Sequence, residues 1–416
     1  MSEKIKKLFL LSIYCGLGLI ILTQCTNDYP DSFYNANVVA RATPTISHIE
    51  PDIALAGVDI ITIIGNNFSE KPDENTVYFN SEKATVISSS INNIVVKAPN
   101  LPLDSIKVKI DVAGALNYSN IELYKLYPAV EEVFPFETYQ EPYTVTSDGM
   151  GNLYFSFIED AAGKGIYKTS VDGVLSEFAP RGGETTFSDL KYNSEGYLIG
   201  VYGNKAIFKI EAGVKPAVFV NTNNNSIKLF ALDYDKDKNI WAAGKGGKIV
   251  CAKLDLSFKL FDYADDISGL RVFNDYLYAI SGKDNAQSIV RFPIVSADSL
   301  GNVEAIFNFS GNVDADVVAN SITFSAEGQM YIATTASPKN EAPVDPIMVV
   351  KSDGSFSTLY AGVISSSSSR LSWGSGTEMF IIKERFPIDR ALSAIFSQNI
   401  LKLNMVKAGA PEFGRD

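Results

Sequence analysis

A unit of roughly 45 residues recurs six times in the last two thirds of the chain, and this period constrains the fold more than any other feature. Successive copies are 45, 42, 37, 53 and 49 residues apart, counted between Leu153, Leu198, Ile240, Leu277, Met330 and Met379. These anchors lie in the segments GNLYFSF, GYLIGVY, NIWAAG, YLYAIS, QMYIAT and EMFIIK. Each unit is long enough for several short strands, and such a repeat predicts one β-propeller blade per copy.

The repeated units also contain a third and a fourth strand. Each third strand carries a base that we expect on its solvated side: Lys168, Lys209, Lys253, Arg291, Lys351 and Lys402. Fourth strands follow in five units, and residues 303–309 (VEAIFNF) form the one in unit four. The sixth unit lacks one, but residues 130–136 (VEEVFPF) repeat the same strand ahead of unit one. Because an open sheet edge invites misassociation, this N-terminal strand is expected to complete the last blade.

The repeat resembles the six-bladed propellers of the NHL and SMP-30/gluconolactonase group over roughly 285 residues. The resemblance implies a six-bladed propeller over residues 127–416. It implies no single activity, since propellers host many chemistries.

A shorter β-rich segment, residues 44–126, lies ahead of the repeat. Alternating runs such as IITIIG and TVYFN are separated by Gly, Asn and Pro turns, which predicts an antiparallel sandwich. The segment resembles the TIG (IPT) family of immunoglobulin-like domains through Ile49, Pro51, Gly57, Thr62, Gly65, Asn67, Phe68, Val77, Phe79 and Ile94 to Pro99. That resemblance implies a spacer or contact module. The predicted fold class is therefore all-β, an N-terminal Ig-like (TIG) β-sandwich plus a six-bladed β-propeller closed by an N-terminal strand.

Residues 1–24 have the layout of a secretory signal peptide. Three lysines precede a 15-residue apolar run, 8–22, which is shorter than the ~20 residues that span a bilayer. Leu22-Thr23-Gln24-Cys25 resembles a bacterial lipobox, in which the cysteine becomes lipidated. We therefore expect lipidation at Cys25, a membrane partner through that anchor, and an outer-membrane lipoprotein of the bacterial cell envelope. Ordinary signal cleavage is the alternative.

Residues 25–43 are polar and lack periodicity, which predicts a flexible tether. Cys25 and Cys251 are the cysteines left after signal removal, so with Cys25 lipidated no disulfide forms within one chain. The net charge of −12 disfavours nucleic acid as a partner. This layout of tether, spacer and globular domain resembles that of surface glycan-binding lipoproteins of Bacteroidetes-like bacteria.

The propeller sequence holds few residues that point to catalysis. The single histidine, His48, lies in the TIG segment, so neither a Ser-His-Asp triad nor a histidine-ligated metal is expected in the propeller. No P-loop, GxGxxG or CxxC pattern stands in a suitable context. We therefore predict no catalytic residues and no metal site.

A calcium-dependent hydrolase of the SMP-30 type is the enzyme alternative. Residues 320–325 (NSITFS) resemble that family's NG-x-x-[WF]-S segment, which implies Asn320 as a calcium ligand. The positions of the family's metal-binding Glu and catalytic Asp hold Tyr143 and Ser369, although Glu141 lies nearby in sequence. We therefore expect no cofactor, with calcium as the open alternative.

Our main functional hypothesis is binding of a glycan or another polar extracellular ligand. Aromatic residues make up 11% of the chain, and rings near strand ends can stack on the apolar faces of sugars. Core packing between blades is the alternative for each ring. The predicted ligand-binding residues are Tyr143, Phe187, Tyr202, Lys205, Lys245, Lys283, Asn320, Arg370, Trp373 and Arg385.

Charge distinguishes the two faces of the predicted propeller. The hairpin face, formed by the turns between strands one and two and between strands three and four, carries twelve acids against Lys236 and Lys238. On the opposite loop face, formed by the connections between strands two and three and between blades, acids and bases nearly balance. A polar saccharide or a peptide therefore suits the loop face better than a polyanion.

The last connection on the loop face is long, residues 383–398. Asp389 is a plausible N-cap there, so we expect a short helix that folds over the mouth of the channel. A protein-docking scaffold is the third functional alternative, and it would bind a partner protein and ignore soluble glycans.

Overall fold

The computed structural model describes residues 39–282, 286–336, 344–364, 367–385 and 397–416. Within these ranges the regular structure consists of β-strands and one 3-10 turn at Pro72–Glu74, so the all-β prediction is confirmed. No helix in the described part of the chain is long and apolar enough to cross a membrane. The predictions for Cys25, Lys283 and Asp389 lie outside the described residues.

The first nine strands form two sheets packed face to face. They are β1 (Thr45–Glu50), β2 (Ala54–Leu55), β3 (Ile60–Asn66), β4 (Asn75–Phe79), β5 (Glu82–Lys83), β6 (Thr85–Ser89), β7 (Asn93–Lys97), β8 (Leu103–Val112) and β9 (Glu122–Tyr127). One sheet has the order β1-β3-β7-β6 and the other β2-β9-β8-β4-β5. Alternation along β3 turns Ile61 and Ile63 inward, where they share a core with Val77 and Phe79. This is the predicted Ig-like sandwich.

The remaining strands form six antiparallel sheets, each a propeller blade. Blade one holds β11 (Gln140–Ser147), β12 (Leu153–Glu159), β13 (Ala162–Thr169) and β14 (Leu175–Pro180). Blade two holds β15 (Asp189–Tyr192), β16 (Leu198–Val201), β17 (Ala206–Ile210) and β18 (Ala217–Asn221). Blade three holds β19 (Lys228–Tyr234), β20 (Ile240–Lys245), β21 (Lys248–Ala252) and β22 (Phe258–Asp262).

Blades four to six continue the ring, and the first strand of each blade packs against that of the next. Blade four holds β23 (Ile267–Phe273), β24 (Tyr276–Ser281), β25 (Ser288–Ser296), β26 (Ser299–Leu300) and β27 (Glu304–Phe307). Blade five holds β28 (Val317–Phe324), β29 (Met330–Ala336), β30 (Ile347–Val350) and β31 (Phe356–Thr358). Blade six holds β32 (Ser368–Trp373), β33 (Glu378–Lys383), β34 (Asn399–Asn404) and the N-terminal β10 (Val130–Glu132).

The N-terminal strand closes the ring as predicted. β10 pairs antiparallel with β34, with Val130 opposite Leu403. The strand is shorter than the expected 130–136, because Pro135 has no N–H to donate to a ladder and the chain turns inward after Glu132. Phe136 then packs in the core between blades six and one, with its ring 5.6 Å from that of Phe155.

Polar side chains join the first strands of neighbouring blades. Asp189 of blade two accepts the backbone N–H of Leu232 in blade three at 2.9 Å. Asp233 of blade three accepts that of Val272 in blade four at 2.8 Å. These hydrogen bonds fix the spacing of the strands that surround the channel.

The C-terminal tail, residues 405–416, runs across the hairpin face and contacts every blade. Its partners in blades one to six are Gly149, Ser194, Lys238, Arg271, Ala326 and Trp373. The tail therefore covers the channel on this face and ties the blades together. The sequence does not predict this arrangement, because an irregular segment of mixed composition has no periodic pattern.

Candidate functional site

The inside of the ring leaves almost no free space. The cavity between the first strands measures about 10 Å³, and Asp189, Lys191, Ser321 and Arg370 are among the residues that line it. That volume is at the threshold for one ordered water molecule. A larger ligand therefore cannot enter the channel in this conformation and has to bind on a face.

Arg370 blocks the channel at its loop-face end. Its Nε–H donates to the Ser188 carbonyl at 2.8 Å, and its Nη1 donates to the Asn320 carbonyl at 3.0 Å. These carbonyls belong to blades two and five, so the guanidinium spans the ring from blade six. The structure thus brings together two of the predicted ligand-binding residues, but it uses the Arg370 charge for internal hydrogen bonds.

A buried ionic cluster lies toward the hairpin face. Arg271 and Asp233 are each 1% exposed and pair at 2.8 Å between Nη1 and Oδ2. The Lys191 Nζ lies 3.5 Å from Asp233 Oδ1 and 3.4 Å from Oε2 of Glu412 in the tail. Burial opposes ionisation of Asp233, but Lys191 and Arg271 outweigh it and hold the pKa of this carboxyl below its usual value. The cluster therefore stays ionised at neutral pH and joins blades two to four to the tail.

A second group of charges lies at the loop-face rim of the channel. The Arg385 Nη2 donates to Glu141 Oε1 at 2.8 Å and to the Thr138 carbonyl at 3.0 Å. Burial raises the pKa of the adjacent Glu384, and the Ser369 hydroxyl opposes that rise. Arg385, a predicted ligand-binding residue, is thus held against blade one by an ion pair.

The other predicted residues on this face are more accessible. Tyr143 is 39% exposed. The Lys205 Nζ donates to Asn225 Oδ1 at 2.5 Å, and the Lys245 Nζ lies 4.0 Å from Asp266 Oδ2, both in exposed surroundings. These three side chains come from blades one, two and three, so they are distributed along the rim.

Three predicted aromatic residues are less accessible than expected. Tyr202 is half-buried, with its ring 4.9 Å from that of Phe208. Phe187 and Trp373 are fully buried, so their rings cannot reach a ligand and their assignment to a binding surface is wrong. Phe187 packs in the core between blades one and two. Trp373 ends β32 on the hairpin face, where its carbonyl accepts a hydrogen bond from Arg415 of the tail.

The residues around Asn320 do not fit a calcium ion. Calcium needs six to eight oxygen ligands, usually with several carboxylates. The Arg370 guanidinium donates to the Asn320 carbonyl, and Glu141 is paired with Arg385. In the described ranges no group of three or more His, Cys, Asp or Glu side chains is arranged to hold a metal. A cation at Asn320 would therefore meet a positive guanidinium instead of a carboxylate cage.

The buried ionic cluster is the feature of this region that sequence reasoning misses. Lys191, Asp233 and Arg271 lie in short first strands, where a charged residue reads as a solvated strand position. The available signal was a charged residue within an otherwise apolar strand that packs on both sides. Such a position indicates a buried ion pair, because a buried charge persists only when it is paired.

Fold and site together define a two-domain β-protein, an Ig-like module followed by a six-bladed propeller with a filled channel. Residues 44–124 match the model of the IPT/TIG domain, which confirms the predicted module. A search of curated proteins finds no match to the chain.

Several solved structures are similar to this chain. A Bacteroides thetaiotaomicron protein described as of unknown function is 13% identical and covers 89% of this chain and 99% of its own, with a TM-score of 0.50. A luciferin-regenerating enzyme is 14% identical and covers 68% of this chain and 98% of its own, at 0.52. An auxiliary nutrient binding protein from B. thetaiotaomicron is 11% identical and covers 87% and 97%, at 0.49. At such identities the likeness to the first two shows the fold alone, and the third, with a TM-score below 0.5, carries no argument.

Proposed function

We propose that this chain is a binding protein of the bacterial cell envelope that holds a glycan or another polar ligand on the loop face of its propeller. The TIG module serves as a spacer, and a lipid on Cys25 anchors the protein to the membrane. No part of this proposal requires a cofactor.

The proposal rests on a difference in accessibility between the two faces of the propeller. On the hairpin face the tail contacts all six blades and covers the channel. On the loop face Tyr143, Lys205 and Lys245 present accessible side chains around the rim. A ring, amides and ammonium groups can together bind the apolar face and the hydroxyls of a sugar. The loop face is therefore the surface on which we place the ligand.

A glycan array with the detergent-solubilised full chain tests this proposal. For each hit, the variants Tyr143→Ala and Lys245→Ala are compared with Tyr118→Ala and Lys351→Ala, which change exposed residues away from the rim. We expect the rim variants to bind about tenfold more weakly, since a few central contacts dominate most interfaces.

Two outcomes contradict the proposal. An equal loss of glycan binding in the rim and control variants would show that the site does not lie on the loop face. Absence of any glycan hit, together with capture of a partner protein in a crosslinking experiment, would favour a docking scaffold.

A further inference from the structure

A cleft of about 750 Å³ opens on the loop face at the seam between blades four and five. Its walls are the connection 308–316, which joins β27 to β28, the loop-face ends of β29 and β30, and the whole of the outer strand β31. Small-molecule sites in proteins commonly measure about 300–1,000 Å³. Unlike the filled channel, this cleft has room for a ligand.

The floor of the cleft is apolar and rigidly supported. Val313, Val317 and Met348 line it and pack at the same time on the core between blades four and five. Phe356 is 44% exposed at one side and lies edge-to-face against Phe307, with 6.0 Å between ring centroids. A flat apolar group, such as the C–H face of a sugar ring, therefore finds a preformed surface.

The polar groups at the rim are mostly acceptors. The Thr358 hydroxyl donates to Asp345 Oδ2 at 2.7 Å, and the Thr334 hydroxyl donates to the Asp345 carbonyl. The Asn312 Nδ2 donates to the Asn308 carbonyl at 2.7 Å. The protein itself thus uses these donors. The second carboxylate oxygen of Asp345 and the amide oxygen of Asn312 keep acceptor capacity.

The described residues that line the cleft carry charge of one sign. Asp314, which is exposed, and Asp345 both line it, and no Lys or Arg is among its lining residues in the described ranges. An anionic ligand would face these two carboxylates, whereas hydroxyl and ammonium groups would find acceptors.

We propose that this cleft is a saccharide subsite selective for neutral or amino sugars over uronate and sulfated sugars. The sugar ring lies on the floor near Met348 and Phe356, and its hydroxyl or ammonium groups donate to Asp314 and Asp345. This inference rests on the proposed function, because it takes the ligand on the loop face to be a saccharide.

The experiment compares neutral, amino and uronate oligosaccharides by calorimetry on the full chain. Asp345→Asn and Asp314→Asn keep the shape of each side chain and remove its charge. Asp172→Asn is the matched control, because Asp172 is an exposed carboxylate on a hairpin of blade one. We expect each cleft variant to bind neutral and amino sugars about tenfold more weakly, with the control unchanged. Selectivity against uronates should fall in the same two variants.

The outcomes separate this inference from the proposed function. Binding that is lost in Tyr143→Ala but retained in both cleft variants would overturn the subsite and leave the proposed function standing. A preference of the wild-type protein for uronates would overturn the subsite as well. Failure of every oligosaccharide to bind would overturn the subsite and the glycan part of the proposed function, and would leave only a polar ligand of another class.

Discussion

Replacing Arg271 by methionine tests whether the tail and the buried cluster hold the ring together. The substitution leaves an apolar side chain of similar length and removes the cation that pairs with Asp233 at 2.8 Å. It also removes the donor to the Pro411 carbonyl in the tail, at 2.7 Å. We expect the propeller to lose stability and the tail to detach more often.

The size of the effect follows from these contacts. Removing one partner of a buried ion pair costs about 3–5 kcal/mol, and the low end applies because Lys191 stays near Asp233. A lost hydrogen bond to the tail adds about 1 kcal/mol. At about 2 °C per kcal/mol for a large domain, the melting temperature should fall by roughly 8 °C.

Arg291→Met is the matched control in the same blade. The Arg291 side chain is 30% exposed, and its guanidinium pairs with Glu304 at 2.7 Å and lies 4.2 Å from the ring of Tyr276. Partly exposed contacts of this kind contribute about 1 kcal/mol, so the melting temperature should fall by about 2 °C. Scanning calorimetry measures both variants, and limited proteolysis with mass spectrometry follows release of residues 405–416.

The pH dependence gives the prediction a second readout. The pKa of Asp233 is lower in the folded protein than in the unfolded chain, so its stabilisation is present above the unfolded value and is lost as pH falls. The difference in melting temperature between the wild-type protein and Arg271→Met should therefore become smaller below about pH 4. If Arg271→Met and Arg291→Met melt at the same temperature and release the tail equally, the cluster does not hold the ring.

Three further predictions concern the anchor, the closure and the metal. Cys25→Ser should abolish membrane partitioning and the acyl mass shift, because several acyl chains anchor a protein stably; unchanged retention would refute lipidation. Phe136→Ala should cost about 3 kcal/mol of unfolding free energy in urea and promote aggregation, whereas Phe258→Ala, at an exposed site, should cost little; equal effects would refute closure by this segment. Calcium titration by calorimetry should show no sub-millimolar binding, and binding abolished by Asn320→Ala would instead support the hydrolase alternative.

The repeat period was sufficient to predict the closed ring of six blades. The exposure of individual aromatic side chains could not be predicted from the sequence. A strand of a propeller blade packs on both faces, so the two-residue alternation that reports exposure in the TIG sandwich is absent. β20, for example, is buried from Ile240 to Gly244 without alternation. Trp373, the last residue of β32, therefore gave no sequence signal of its burial, and Phe187 lies in the connection before β15, where no strand alternation exists to report it.

The buried charges and the tail could not be predicted from the sequence for a related reason. Arg271 has partners in another blade, Asp233, and in the tail, Pro411, at sequence separations that no local pattern reports. The closing strand was predictable because it copies a strand seen elsewhere in the chain. The strand ends early, at Glu132, because of Pro135. Matching the segment to the repeated strand alone does not take this proline into account.

The closure of the ring also sets the order in which the chain can fold. Strands of the TIG sandwich pair within residues 45–127, so this domain can form as soon as its own residues are available. The propeller cannot be sealed until Leu403 meets Val130, a contact across most of the chain, and until the tail reaches the hairpin face. Contacts between such distant residues make folding slow. During synthesis the propeller therefore stays open longest, and truncation near residue 404 removes the tail that ties all six blades together.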